Sequence, residues 1–167
     1  MPAPHTANEQ DHADKLLEQW RQVRPELDCS PMAFFGRLSR MALLAEREIV
    51  AVIKQHGLTA GEFDVLAALR KNAAPLTPTE LYQSTLLTSG AMTARLDKLE
   101  QRGLITRQHS QKDRRSMIVQ LTAEGMSLVD TTVDAHVANE QQLITPLTAE
   151  EQQLLTGLMR RWLLAHE

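Results

Sequence analysis

Thr106–Gly125, TRQHSQKDRRSMIVQLTAEG, sets two short alternating apolar runs on either side of a charged tip and follows them at once with a helix start. Alternation of this kind predicts half-buried strands, so the segment reads as a β-hairpin with Lys112, Arg114 and Arg115 at its tip. No acid–base pair or metal-ligand cluster surrounds that tip. A surface hairpin ending in cations suits a groove lined with phosphates. The chain as a whole carries a formal net charge of -3, so the tip needs a reason.

The charge is unevenly placed. Residues 88–115 hold seven basic side chains (Arg95, Lys98, Arg102, Arg107, Lys112, Arg114, Arg115) against Asp97, Glu100 and Asp113, a net +4. Residues 122–167 hold Arg160 and Arg161 against seven acids, a net -5. A local basic segment inside a mildly acidic chain is the electrostatic footprint of a phosphate contact, although a solvated charged face gives the same composition. Position along the chain decides between them.

Upstream of the hairpin the pattern is two helices joined tightly. Thr77-Pro78-Thr79-Glu80 is a helix cap with Pro at the first helical position, and it starts a short helix to about Ser84. A second cap near Thr88 or Ser89 opens a helix through Leu96 and Leu99 that Gly103 ends. Short helix, turn, longer helix, strand, basic tip, strand is the order of a winged helix-turn-helix. Ser89, Gly90, Thr93 and Ala94 are small enough to let the second helix sit deep in a major groove, with its amino end toward phosphates. Met92, Leu96 and Leu99 lie on its other face, and the hairpin then reaches a minor groove with arginine.

The rest of the chain reads as helix. A polar arm over 1–10 precedes a helix from about Asp11 to Arg24 with Leu16, Leu17 and Trp20 on one face. Ser30-Pro31 opens another to His56, stopped at Gly57, and Thr59 caps a third to about Asn72 with Phe63, Leu66 and Leu69 inward. Helices over Thr122–Gln142 and Thr148–Leu164 close the chain. The expected fold is mainly α: a single domain over 11–167, with dimerisation helices at 11–56 and 122–167 around a winged lobe at 57–121. At 167 residues one sizeable core is available. The absence of an apolar leader and the single cysteine, Cys29, predict a cytoplasmic protein. No phosphate loop, zinc spacing or catalytic triad is recognisable, so neither an enzyme nor a cofactor is expected.

The run Asp113–Gly125, DRRSMIVQLTAEG, resembles the wing signature of the MarR family of winged-helix regulators. Ser89–Arg107, SGAMTARLDKLEQRGLITR, resembles that family's recognition helix and first wing strand. QWRQVRPELDCSPMAFFGRLSR, LTAGEFDVLAALR, MTARLDKLEQRG and AHVANE are similar to its urate-responsive subgroup, which carries an added N-terminal helix. The resemblance implies a homodimer on a near-palindromic operator, usually repressing until an effector binds. The effector would be urate or another small anionic aromatic molecule. It also implies DNA contacts from Thr88, Ser89, Gly90, Thr93, Arg95, Lys98, Lys112, Arg114 and Arg115, and a ligand pocket from Trp20, Asp64, Arg95 and Arg107.

Each of these residues has a plainer role open to it. Trp20 can staple the first helix to a core, Arg95 can contact phosphate, bridge a pocket or sit on the surface, and Asp113 can orient the wing arginines. Asp64 lies between Phe63 and Val65, where a carboxylate needs a cation or a ligand. His136 can pack at an interface or sense pH. Cys29 stands where the subgroup usually has an aliphatic residue, which keeps open a thiol-based redox regulator on the same fold.

Overall fold

Several helix starts are written by a short polar pair, and the computed structural model shows those pairs engaged. It describes residues 9–72, 74–84, 89–109 and 116–167, with the side chains of 89–91 left aside. Asp11 and Asp14 exchange backbone and carboxylate hydrogen bonds at the start of α1 (His12–Val23). Thr59 and Glu62 do the same at α3 (Ala60–Asn72), Thr77 and Glu80 at α4 (Pro78–Ser84), and Thr148 and Glu151 at α7 (Ala149–Leu164). Each such box satisfies two amides that a helix end would leave bare. Asp28 receives the Ser30 amide at the head of α2 (Ser30–Gln55), and Gly57, at φ 70°, takes the left-handed turn after it.

The winged element has the expected order. α4 is followed by α5 (Ser89–Gln101), then β1 (Ile105–His109) and β2 (Met117–Leu121), paired antiparallel with Ile105 opposite Leu121 and His109 opposite Met117. Leu76 adds a one-residue bridge to Val119, so the chain before α4 is laid against the wing. The hairpin hands over to α6 (Ala123–Leu143) through Thr122, whose hydroxyl donates to the Gly103 carbonyl and accepts from the Gly125 amide. A Cβ at Gly125 would run into the backbone of Leu104, so glycine is required by close approach there. The wing tip, 110–115, and the turn 85–88 lie outside the described residues, as does most of the expected arm.

The chain divides into two compact units: Ile49–Glu140, and Met1–Glu48 with Gln141–Glu167. The divisions fall inside α2 and α6, so the last turns of α2 and most of α6 count with the winged lobe, where the sequence placed them among the dimerisation helices. The lobe owns the core. Leu58, Val65, Leu66, Leu81, Leu96, Leu99, Ile105, Val119 and Val129 are buried, with Met92 and Phe63 around them. The inward faces expected of α3 and α5 are therefore the observed ones. Phe35, Leu38 and Leu43 on α2 are exposed in the single chain, and α7 buries none of its residues. Among the described residues no helix is long and apolar enough to cross a membrane.

Candidate nucleic-acid interface

The basic residues of α5 are where the structure departs most from a simple footprint. Met92, Leu96 and Leu99 face the core. Arg95, Lys98 and Arg102, at spacings of three and four, form a stripe along the margin of that face. All three lie against the first turn of α3. The Arg95 guanidinium lies over Gly61, where a Cβ would collide with it. The Lys98 ammonium is 3.0 Å from Glu62 Oε1, and Arg102 Nη1 is 3.6 Å from the same oxygen. Glu62 itself is only 2% exposed. Burial opposes its ionisation, yet the Thr59 backbone and Lys98 hold its carboxyl below the ordinary value.

Arg107, on β1, is committed in the same way. Its Nη1 is 2.7 Å from Asp97, its Nε donates to Glu100 at 2.9 Å, and its backbone amide donates to the other Glu100 oxygen at 3.1 Å. The guanidinium holds Glu100 below the usual carboxylate range. Two acids on α5 are thus neutralised by the root of the wing, and the wing is clamped to the helix that precedes it.

What α5 leaves outward is small or polar. Thr93, Ala94, Asp97 and Gln101 are exposed. Ser89 and Gly90 occupy the first turn of the helix, and Thr88 lies outside the described residues with Lys112, Asp113, Arg114 and Arg115. The described part of α5 thus turns small and polar side chains outward beside its amino end.

The described residues of the ligand set fall in both units. Asp64 and Arg95 share the winged lobe and interact electrostatically. Asp64 is exposed by area, yet burial by surrounding atoms pushes its carboxyl above the ordinary value against the pull of Arg95, Lys71 and His136. Arg95 Nη1 is buried and has no hydrogen-bond partner among the described residues. His136 packs its ring on Phe63, with Nε2 3.4 Å from Glu140. Trp20 belongs to the terminal unit. It lines a cavity of about 620 Å³ there with Leu16, Leu17, Met32 and Arg40. Arg37 on the same wall is taken by Asp11 and Asp14. Cys29 is buried just before α2.

The comparisons with known proteins settle the lineage. A model described as MarR family matches residues 56–116. The transcriptional regulator PecS of Dickeya dadantii is 40% identical over 148 residues, covering 87% of this chain and 89% of that protein. The chain belongs to the MarR family. Wild-type MarR from E. coli in its apo form superimposes at a TM-score of 0.67 with 29% identity, covering 77% of this chain and 95% of that one. BpsR of Bordetella bronchiseptica, described through the regulation of its DNA binding by 6-hydroxynicotinic acid, reaches 0.62 with 25% identity over 75% of this chain and 98% of its own. This protein is accordingly a DNA-binding transcriptional regulator and not an enzyme.

Glu62 is the residue the sequence reading missed. The capping signal Thr59-x-x-Glu62 was visible, and so was the helical spacing of Arg95, Lys98 and Arg102. Nothing in either pattern alone says that the two face each other.

Proposed function

We propose that this regulator acts as a homodimer on a near-palindromic operator, usually as a repressor, and is released by a small anionic aromatic ligand of the urate class. The observation that carries the ligand is the buried Nη1 of Arg95, unpartnered among the described residues and close to a carboxylate whose ionisation is disfavoured. A buried donor without an acceptor is a costly arrangement that an anion relieves. That BpsR is described as regulated by an aromatic acid agrees with this ligand class.

An anion accepted by Arg95 would lie near Asp64, and like charges a few ångströms apart repel by about 4 kcal/mol at an effective dielectric near 20. Asp64 then gives up its hold on Arg95. Because Arg95 stands on α5, its movement tilts that helix out of register with DNA. DNA and ligand must therefore weaken each other reciprocally. Direct contacts to DNA fall to Thr88, Ser89, Gly90 and Thr93 on the helix and to Lys112, Arg114 and Arg115 on the wing. Operator spacing would follow from two recognition helices about one DNA turn apart.

The test is to select bound duplexes from genomic fragments and titrate the complex with urate, xanthine, salicylate and peroxide. Release by the purines, with peroxide inert, supports the reading. Release by peroxide alone would transfer the sensing role to Cys29. Calorimetry with a Trp20, Asp64 and Arg95 triple alanine variant should show urate binding lost; retained binding would remove these residues from the ligand site.

A further inference from the structure

Two consecutive residues of α3, Gly61 and Glu62, receive three consecutive basic side chains of the α5 stripe. A buried carboxylate is expensive unless every lone pair is used. Here one oxygen accepts from the Thr59 amide at 2.8 Å and its hydroxyl at 2.9 Å, while the other, buried and without a hydrogen bond among the described residues, has Lys98 at 3.0 Å and Arg102 at 3.6 Å as ion-pair partners. Thr59 thus holds Glu62 in place. The packing of Met92, Leu96 and Leu99 sets which face of α5 turns to the core, and Arg107 holds its outer side through Asp97 and Glu100, so the margin beside α3 is where the ion pairs add to its rotation. The buried Glu62 oxygen, a fixed negative charge held by Thr59, draws Lys98 and Arg102 to one point on the margin of that face.

We propose that Glu62 is the positioning residue of the recognition helix: through Lys98 and Arg102 it fixes the rotation at which α5 presents its amino end to DNA. Lys98 then serves α5 from behind and is not a phosphate contact, although its side chain is 58% exposed. The proposal rests on the assignment of α5 as the helix that reads DNA.

The experiment uses the full-length protein and a duplex selected from genomic fragments, with affinity measured across a salt series. Lys98→Met should weaken binding to the selected duplex on the order of tenfold with the slope of log affinity against log salt unchanged. A phosphate-contacting lysine would instead lower that slope by about 0.9. Glu62→Gln should weaken the selected duplex by a similar factor and leave an unrelated duplex unaffected. The double variant should be no weaker than the worse single one, because the two side chains act as one unit. A slope reduced in Lys98→Met, or a Glu62→Gln protein that binds the selected duplex as well as or better than wild type, overturns the proposal. If Glu62→Gln does not fold, the Lys98→Met slope decides alone. Thr93→Leu, outward on the same helix, should abolish discrimination between the duplexes; if it does not, the assignment of α5 falls and the proposal with it.

Discussion

In the winged lobe Val65, Leu66, Leu81 and Leu99 have no accessible surface, whereas in the terminal unit Leu154 is 65% and Phe34 56% exposed. Both regions are rich in apolar side chains. In the lobe, α3, α4, α5, the end of α2, most of α6 and the hairpin close around theirs. In the terminal unit Phe34, Phe35, Leu38 and Met41 on α2, and Leu158, Met159, Trp162 and Leu163 on α7, stay open to water. An apolar surface of that extent marks an interface. The lobe is a finished object, and the terminal unit is half of one, which suits the proposed two-fold assembly.

The largest effect should come from spoiling the unfinished half. Leu158→Glu combined with Trp162→Ala places a charge in the proposed interface and removes an aromatic anchor. Such hot spots are worth about 2–4 kcal/mol each, so dimers at micromolar concentration should become monomers in sedimentation. Operator binding should fail while the circular dichroism of the lobe's helices persists.

Next comes the clamp inside the lobe. Arg107→Ala frees Asp97 and Glu100 on α5, the helix proposed to read DNA, and operator affinity at fixed salt should drop by about 2 kcal/mol. Arg107→Lys should restore only part of the loss, because one ammonium cannot serve both acids in the same geometry. Unchanged affinity in Arg107→Ala would mean that the wing needs no clamp.

Arg115→Ala should weaken operator binding on the order of 1–3 kcal/mol through a minor-groove contact, and Arg114→Ala by less through a phosphate. Fluorescence anisotropy on the selected duplex at one salt concentration ranks the two, and the reverse order would move the inserted side chain from Arg115 to Arg114.

Much of the lobe was legible because its signals are local. Thr77-Pro78-Thr79-Glu80, Gly103 and the alternation on either side of the tip name their own structures within a few residues. The apolar faces of α3 and α5 were equally plain, since Phe63, Leu66 and Leu69, like Met92, Leu96 and Leu99, repeat at helical spacing. What could not be read was partnership across distance. The basic segment looked like one footprint, yet Arg95, Lys98, Arg102 and Arg107 face Gly61, Glu62 and the acids of α5. Formal charge says how many cations a segment has and nothing about which way they point. For the same reason the exposure of Phe35, Leu38 and Leu43 was hidden. Their spacing is that of a core face, and only the folded chain shows them exposed, with no element among the described residues covering them.

The smallest effect concerns Asp64. Its carboxyl is raised by burial, so the folded state holds the proton more tightly than the unfolded chain does. Stability from this group is greatest in acid, falls as pH rises through the ordinary aspartate value toward the raised one, and stays lower at neutral pH. Asp64→Asn should therefore melt at the same or a slightly higher temperature than wild type at pH 7, with that advantage vanishing in acid. In the same variant the effector should no longer dissociate the complex as well. A melting temperature that falls at pH 7 would show that the carboxylate supports the fold and is not held in reserve for a ligand.

The contrast between a finished lobe and an unfinished terminal unit can be tested in one measurement: sedimentation of the protein with its selected duplex, at micromolar concentration and moderate salt. Two chains per duplex, with two chains already paired before DNA is added, is the predicted result. One chain per duplex, or a monomer that binds the operator at full strength, would contradict it.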